Sequence, residues 1–268
     1  MIGTSVLDRE KQRAGIFVKG NADGNAVIML HSSLSSSLQW RTLETKLSED
    51  YLTINIDLLG YGSAPKVEHP KGYTLSTEYS RIMSAIESVI GNKPFHLIGH
   101  SFGGANALKI AVQNPERILS LSMYEPVAFH LLEEGTQARK EVLEFAHTVA
   151  TSSDEQAARH FTETWNRKGF FDNLPSKVQQ LMVRDIDKVN LDFIGLISEK
   201  YTLDDCAKIL CPVLLMHGSH SQEISGEVIK RLLKVLPNVT ECEIQAGHMA
   251  PISHAEEVAD IIINAIRA

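Results

Sequence analysis

The chain predicts an α/β fold, a mostly parallel central sheet flanked by helices, with a helical segment inserted into it. Three observations carry this expectation. Short apolar runs that end in glycine-, serine- or proline-containing loops alternate with helical patterns through most of the 268 residues. That alternation is the signature of a parallel sheet covered on both faces. One 80-residue interval, 127–206, breaks it with helical patterns alone. Near the N-terminus, IFVKGNADGNAVIML sets two apolar runs either side of a turn rich in residues that tolerate positive φ, which predicts a hairpin and an antiparallel start to the sheet.

Taken in order, the strand candidates are Ala26–Leu30 (AVIML), Leu52–Ile56 (LTINI), Phe95–Ile98 (FHLI), Ile118–Tyr124 (ILSLSMY), Val213–Met216 (VLLM) and Val239–Ile244 (VTECEI). Each is short, apolar or alternating, and closed by a loop: HSSLSSS, DLLGYGSAP, GHSFGG, EP, HGS and QAGH respectively. Helical periodicity marks Trp40–Leu47, Thr77–Ile90, Gly104–Gln113, Gly226–Leu236 and His254–Arg267. The interval 127–206 is too long for a connection between two strands. It predicts a helical cap over the C-terminal edge of the sheet, the edge at which open α/β sheets bind ligands. The expected division is a core of 1–126 and 207–268 with the cap at 127–206.

Composition narrows the function classes. The chain is 43% hydrophobic and 22% charged, with a mean hydropathy of -0.08, which is ordinary for a globular protein. No run approaches ~18 uninterrupted apolar residues, so no membrane span is expected. The start, MIGTSVLDREKQRAG, carries charges where a secretory signal has its apolar stretch, and a cytoplasmic protein is the expectation. A net charge of -7 disfavours a nucleic-acid partner, which selects a basic face. Cys206, Cys211 and Cys242 are too few and too dispersed for a disulfide framework or a zinc quartet. No His-x-x-x-His pair with a carboxylate stands on a helical pattern, so no metal site and no cofactor are expected. The expected partner is a small-molecule substrate; the sequence leaves a homo-oligomer open.

Gly99-His100-Ser101-Phe102-Gly103 fits G-x-S-x-G, follows an apolar strand pattern and precedes a helical one. This is the context the motif requires: the serine stands on a sharp strand-to-helix turn that small neighbours permit, beside helix amides that favour an anion. A serine hydroxyl is a poor nucleophile until a base takes its proton. His248, in the loop Gly247-His248-Met249-Ala250-Pro251 after the last strand pattern, is the candidate base.

With these residues in place the chain resembles the α/β-hydrolase superfamily over nearly its whole length. LHSS at 30–33 stands where the family has its His-Gly-x turn, and DLLGYGSAP at 57–65 resembles the D-x-x-G-x-G-x-S loop with Ser63 one place early. GHSFGG resembles the nucleophile elbow, and AGHMAPISHAEEVADII the histidine loop and final helix. The cap interval is the least diagnostic part. The resemblance implies an oxyanion hole made by the backbone N–H of Phe102 and of Ser33, with Ser32 standing where glycine is usual. It implies that His31 braces the oxyanion loop and that His100 points away from the nucleophile.

The family also implies a carboxylate about three residues past Gly218, and Ser221 stands there. Two acids compete for the missing role. Glu223 lies two residues further along the same loop. Glu125 follows the strand pattern ILSLSMY directly, at the C-terminal edge one strand on from the elbow. Some relatives, including certain haloalkane dehalogenases, place their acid there. A charge set against an apolar strand end is costly to bury without a partner, and His248 would supply one. Glu125 is the expected acid and Glu223 the alternative. The expected function is a cofactor-independent serine hydrolase of a small ester or lactone acting through an acyl-enzyme on Ser101. Carbon–carbon bond hydrolysis of a diketone-like substrate, or a hydrolase-like binding protein with little turnover, are the alternatives.

Overall fold

The computed structural model describes residues 14–268; the charged N-terminal stretch that bears on the signal-peptide expectation lies mostly outside them. Seven strands form one sheet in the order β1-β3-β2-β4-β5-β6-β7. They are β1 (Ile16–Gly20), β2 (Ala26–Leu30), β3 (Leu52–Ile56), β4 (Phe95–His100), β5 (Ile118–Tyr124), β6 (Val213–Gly218) and β7 (Val239–Ile244). Every neighbouring pair is parallel except β1 with β3.

That exception corrects the hairpin expectation. The turn at Asn21–Gly24 is real, with Gly24 N–H donating to Asn21 O at 3.1 Å, but it does not fold β1 back onto β2. Instead β3 lies between them, and Ile16 pairs with Ile56 while Leu30 pairs with Ile56 from the other side. The reason is burial. All of β2 is buried, and both its edges are filled by parallel neighbours. β1 is exposed along its last three residues, as an edge strand can be.

The helices of the core are α1 (Arg41–Leu47), α2 (Leu75–Ile90) and α3 (Phe102–Gln113). Thr74 caps α2 in a capping box with Thr77, which starts that helix two residues before the position its apolar spacing suggests. Between β5 and β6 come α4 (Gln137–Thr151), α5 (Asp154–Thr164), α6 (Ser176–Ser198) and the short α7 (Leu203–Cys206). No strand occurs there among the described residues. After β6 come α8 (Glu223–Leu233), α9 (Ala250–Ser253) and α10 (Ala255–Arg267). α8 starts three residues ahead of the expected Gly226, whose missing side chain would face open space.

Apolar side chains cover both faces of the sheet. Ile28, Leu30, Leu97, Leu121 and Leu215 pack with α2, α3 and α8 on one face. Val27, Met29, Ile98, Leu214 and Met216 pack with α1 and α10 on the other. The strand-free segment meets the first cluster through Phe129, Val142, Phe145, Trp165, Phe171 and Phe193. No helix among the described residues is long and apolar enough to cross a membrane.

Candidate active site

The C-terminal ends of β4, β5 and β6 lie side by side, and each supplies one part of the site. Ser101 follows β4 with φ 54° and ψ -117°, a conformation that L side chains rarely adopt. Its neighbours make the turn possible. A Cβ on Gly103 would lie 2.3 Å from Leu30 O, and one on Gly99 would lie 2.5 Å from Gly103 O. The glycines let the elbow pack against β2, and the hydroxyl of Ser101 faces a cavity at the head of α3.

His248 comes from the loop after β7. Its position is fixed from behind: His100 Nε2 donates to His248 O at 2.8 Å, and Tyr124 OH donates to Gly247 O at 2.9 Å. Ser101 Oγ lies 2.9 Å from His248 Nε2, placed to donate to it. His248 Nδ1 lies 2.6 Å from Glu125 Oε2, placed to donate to it. Glu125 is fully buried and has φ 41°; its other oxygen, Oε1, accepts from Gly218 N–H at 2.7 Å. Burial raises the Glu125 carboxyl, but the His248 hydrogen bond and charge, the Gly218 amide and the nearby Ser221 hydroxyl together hold it below its ordinary value. Burial and the neighbouring His248 push His100 well below the ordinary imidazole range, so it braces the loop as a neutral ring.

The structure therefore brings Ser101, His248 and Glu125 together in one hydrogen-bonded chain. It does not bring Glu223 there. Glu223 opens α8, is exposed, and faces clefts beside α4. Ser221, where the family's carboxylate is expected, has a buried Oγ with no hydrogen-bond partner of good geometry. Phe102 begins α3 and is fully buried. Ser33 lines the cavity beside Ser101.

The turn that carries Ser33 is tied down by side chains. His31 Nδ1 donates to Ser32 O at 2.7 Å and Nε2 accepts from Leu58 N–H at 2.9 Å, the bracing role expected of it. Ser32, which replaces the usual glycine, donates from Oγ to Gln39 Oε1 at 2.9 Å. Ser33 Oγ donates to Asp192 Oδ2 at 2.6 Å, and Tyr61 OH donates to the same oxygen at 2.6 Å. Asp192 stands on α6 and is bonded to Lys188 one turn earlier. Lys188 Nζ also lies 3.1 Å from Glu78 Oε1 and donates to Tyr73 OH at 3.1 Å. Burial pushes the Asp192 carboxyl above its ordinary value, although Lys188, Ser33 and Tyr61 pull the other way. This network was not visible in the sequence. A Lys and an Asp four apart on a helical pattern read as a solvated surface pair, and no local signal marks them as buried.

Trp165 stacks on His248 with ring centroids 4.1 Å apart and planes at 29°. With Phe161, Phe170 and Met182 from the same segment, it closes a cavity of about 210 Å³ that Ser101 and His248 line. Phe129 and Phe193 of the same interval stack on each other at 6.3 Å and, with Phe171, are buried in the core cluster.

Known proteins share this architecture. "Probable lysophospholipase BODYGUARD 1" of Arabidopsis thaliana is 34% identical over 148 residues, covering 52% of this chain and 31% of that protein. The chain thus spans about a third of the length of that relative. 3-Oxoadipate enol-lactonase 1 of Acinetobacter baylyi is 21% identical over 266 residues, covering 98% of this chain and 96% of its own. Among solved structures, an enol-lactonase from Burkholderia xenovorans superposes with a TM-score of 0.78 at 15% identity, covering 94% of this chain and 96% of that one. An esterase from Exiguobacterium antarcticum gives 0.75 at 20% identity, covering 94% and 96%. These two likenesses establish the fold. The family described as "Alpha/beta hydrolase family" matches residues 27–261, which span six of the seven strands and the serine elbow after β4, and the chain belongs to the α/β-hydrolase family.

Proposed function

We propose that the protein is a serine hydrolase of a small-molecule ester or lactone, with Ser101 as nucleophile, His248 as general base and Glu125 as the acid that orients it. The single observation that carries this reading is the unbroken chain from Ser101 Oγ through His248 to Glu125, at 2.9 and 2.6 Å, opening on a cavity of about 210 Å³. His248 takes the Ser101 proton as Oγ attacks the substrate carbonyl. Glu125 holds the imidazole with Nδ1 protonated, so Nε2 is free to accept, and it stabilises the imidazolium that forms. The N–H groups of Phe102 and Ser33 support the oxyanion. His248 then returns its proton to the leaving oxygen. In a second half-reaction it activates water, which attacks the acyl-enzyme and regenerates Ser101. The segment 127–206 serves as a cap, with Trp165 shielding the imidazole from water.

Carbon–carbon bond hydrolysis would use the same three side chains. A diketone-like substrate that carries a carboxylate would call for a basic side chain, and no Lys or Arg lines the 210 Å³ cavity, which favours an uncharged ester. The test is labelling with an activated fluorophosphonate, followed by turnover of p-nitrophenyl esters and simple lactones. Stoichiometric modification at Ser101 with ester turnover is expected. A chain that only holds a small molecule would stay unlabelled.

A further inference from the structure

Ser101 stands between two spaces of very different size. On one side is an inner recess of about 10 Å³, walled by Val127, Phe129, Val189, Phe193 and Leu196, with Asp192, already bonded to Ser33, Tyr61 and Lys188, also at its wall. On the other is the cavity of about 210 Å³ that His248 lines. This outer cavity shares Leu34, Ser35, Met182 and Ile252 with an open groove of about 670 Å³ between α6 and the 34–42 segment. Leu38, Leu181 and Ile252, exposed by 76%, 40% and 50%, all line that groove. Three large apolar side chains gathered along one trough mark a surface suited to an apolar ligand. Its charges largely cancel: Arg184 is paired with Asp185 at 2.7 Å, leaving Arg41 at the rim.

The chemistry decides which half of a substrate lies on which side. The imidazolium must hand its proton to the departing oxygen, so the leaving alcohol has to lie within reach of His248 Nε2. His248 lines the outer cavity and not the inner recess. The alcohol therefore points outward toward the groove, and the acyl group points into the recess. A recess of that size holds little more than one water or methyl group.

We infer that the substrates are esters of a very short acyl group with a long, uncharged apolar alcohol, whose chain lies along the groove past Met182, Ile252, Leu181 and Leu38. This rests on the serine-hydrolase reading above. The step balances within that mechanism. The Ser101 Oγ–acyl bond forms and the acyl–alkoxy bond breaks, and the Ser101 proton leaves with the alcohol by way of Nε2. Water then adds to the acyl carbon, releasing a short carboxylic acid and restoring the hydroxyl.

Two substrate series on the full chain test it. Along n-alkyl acetates from butyl to decyl, followed by pH-stat, kcat/KM should rise about two- to fourfold per methylene until the groove is filled. Along p-nitrophenyl esters from acetyl to dodecanoyl it should fall at least tenfold by hexanoyl. Leu38→Asp and Leu181→Asp, both at exposed positions, should each lower the ratio of decyl to butyl acetate kcat/KM by about tenfold. Val189→Ala, which enlarges the recess, should move the acyl optimum up by one or two carbons. Rates that climb with acyl length and stay flat with alcohol length would overturn the proposal. So would fluorophosphonate labelling of Ser101 without turnover in either series. Absence of both labelling and turnover would instead overturn the serine-hydrolase reading itself.

Discussion

Glu125 Oε2 lies 2.6 Å from His248 Nδ1, although the two residues are separated by 123 positions and Glu125 directly follows β5 instead of lying in the β6 loop where the family's acid is expected. The β6 loop still serves this carboxylate, but as a donor: Gly218 N–H donates to Oε1 at 2.7 Å. Ser221, at the position where the family's acid is expected, has a buried Oγ without a hydrogen-bond partner of good geometry, close enough to Glu125 to help hold its carboxyl down. The carboxylate against His248 Nδ1 thus comes from the end of β5, and the β6 loop contributes an amide to it.

Glu125→Gln keeps an oxygen for the Gly218 amide but sets an amide group against Nδ1, which favours the wrong tautomer. A loss of about 10⁴ in kcat is expected on the pattern of serine triads. Ser221→Ala and Glu223→Gln should stay within a few-fold of wild type. Steady-state kinetics on one ester checks the ranking; the reverse order would return the acid to the 218–223 loop.

Ser101→Ala and His248→Ala should each abolish turnover by several orders of magnitude while the protein remains folded by circular dichroism. The double variant should be little worse than either single one, because residues that act as one unit are not additive. A Ser101→Ala variant with more than a few percent of wild-type kcat would refute the assignment of the nucleophile.

The parts of this site that could be read from sequence are those where a local stretch solves a local problem. GHSFGG is legible because a strained serine at φ 54° needs Gly99 and Gly103 where they are. AVIML and FHLI are legible because a strand buried on both faces has no polar alternation to disguise it. Glu125 is legible because a charge directly after an apolar strand calls for a partner. The place of β1 was not, since pairing with β2 or β3 depends on what fills the far edge of β2. Lys188 and Asp192 were not, since their burial comes from Tyr61, Tyr73, Glu78 and Ser33, each at least 110 positions away in the chain.

Asp192 reaches from α6 to hold Ser33 at 2.6 Å, which makes it a positioning residue for the proposed oxyanion donor. Asp192→Asn and Ser33→Ala should each lower kcat by about tenfold or more, short of the 10²–10³ expected for losing a donor outright, and shift KM by less than threefold. Combining them should cost little beyond the larger single effect. A change confined to KM, or to thermal stability alone, would show that the contact merely anchors the helix.

His130 gives the fold a pH dependence whose sign can be worked out. Its ring packs edge-on against Tyr201 with centroids 4.3 Å apart, and neither ring nitrogen has a hydrogen-bond partner of good geometry. Burial pushes its pKa down from 6.5 to about 4. Between those two values the unfolded chain takes up a proton that the folded protein refuses, so stability is lost as pH falls through that window. At pH 5 the loss from this residue is up to about 2 kcal/mol, at 1.36 kcal/mol per pKa unit. Burial lowers His31, His96 and His100 as well, and each adds a loss of the same sign. Glu125 and Glu199, both held below their ordinary value of 4.5, lose their contributions only at lower pH. His130→Phe keeps an aromatic ring against Tyr201 and removes the titration. Urea unfolding at pH 7.5 and pH 5.0 should therefore show a smaller drop in stability for His130→Phe than for wild type, by about 1–2 kcal/mol. Equal drops in the two proteins would show that His130 is not a source of the acid sensitivity.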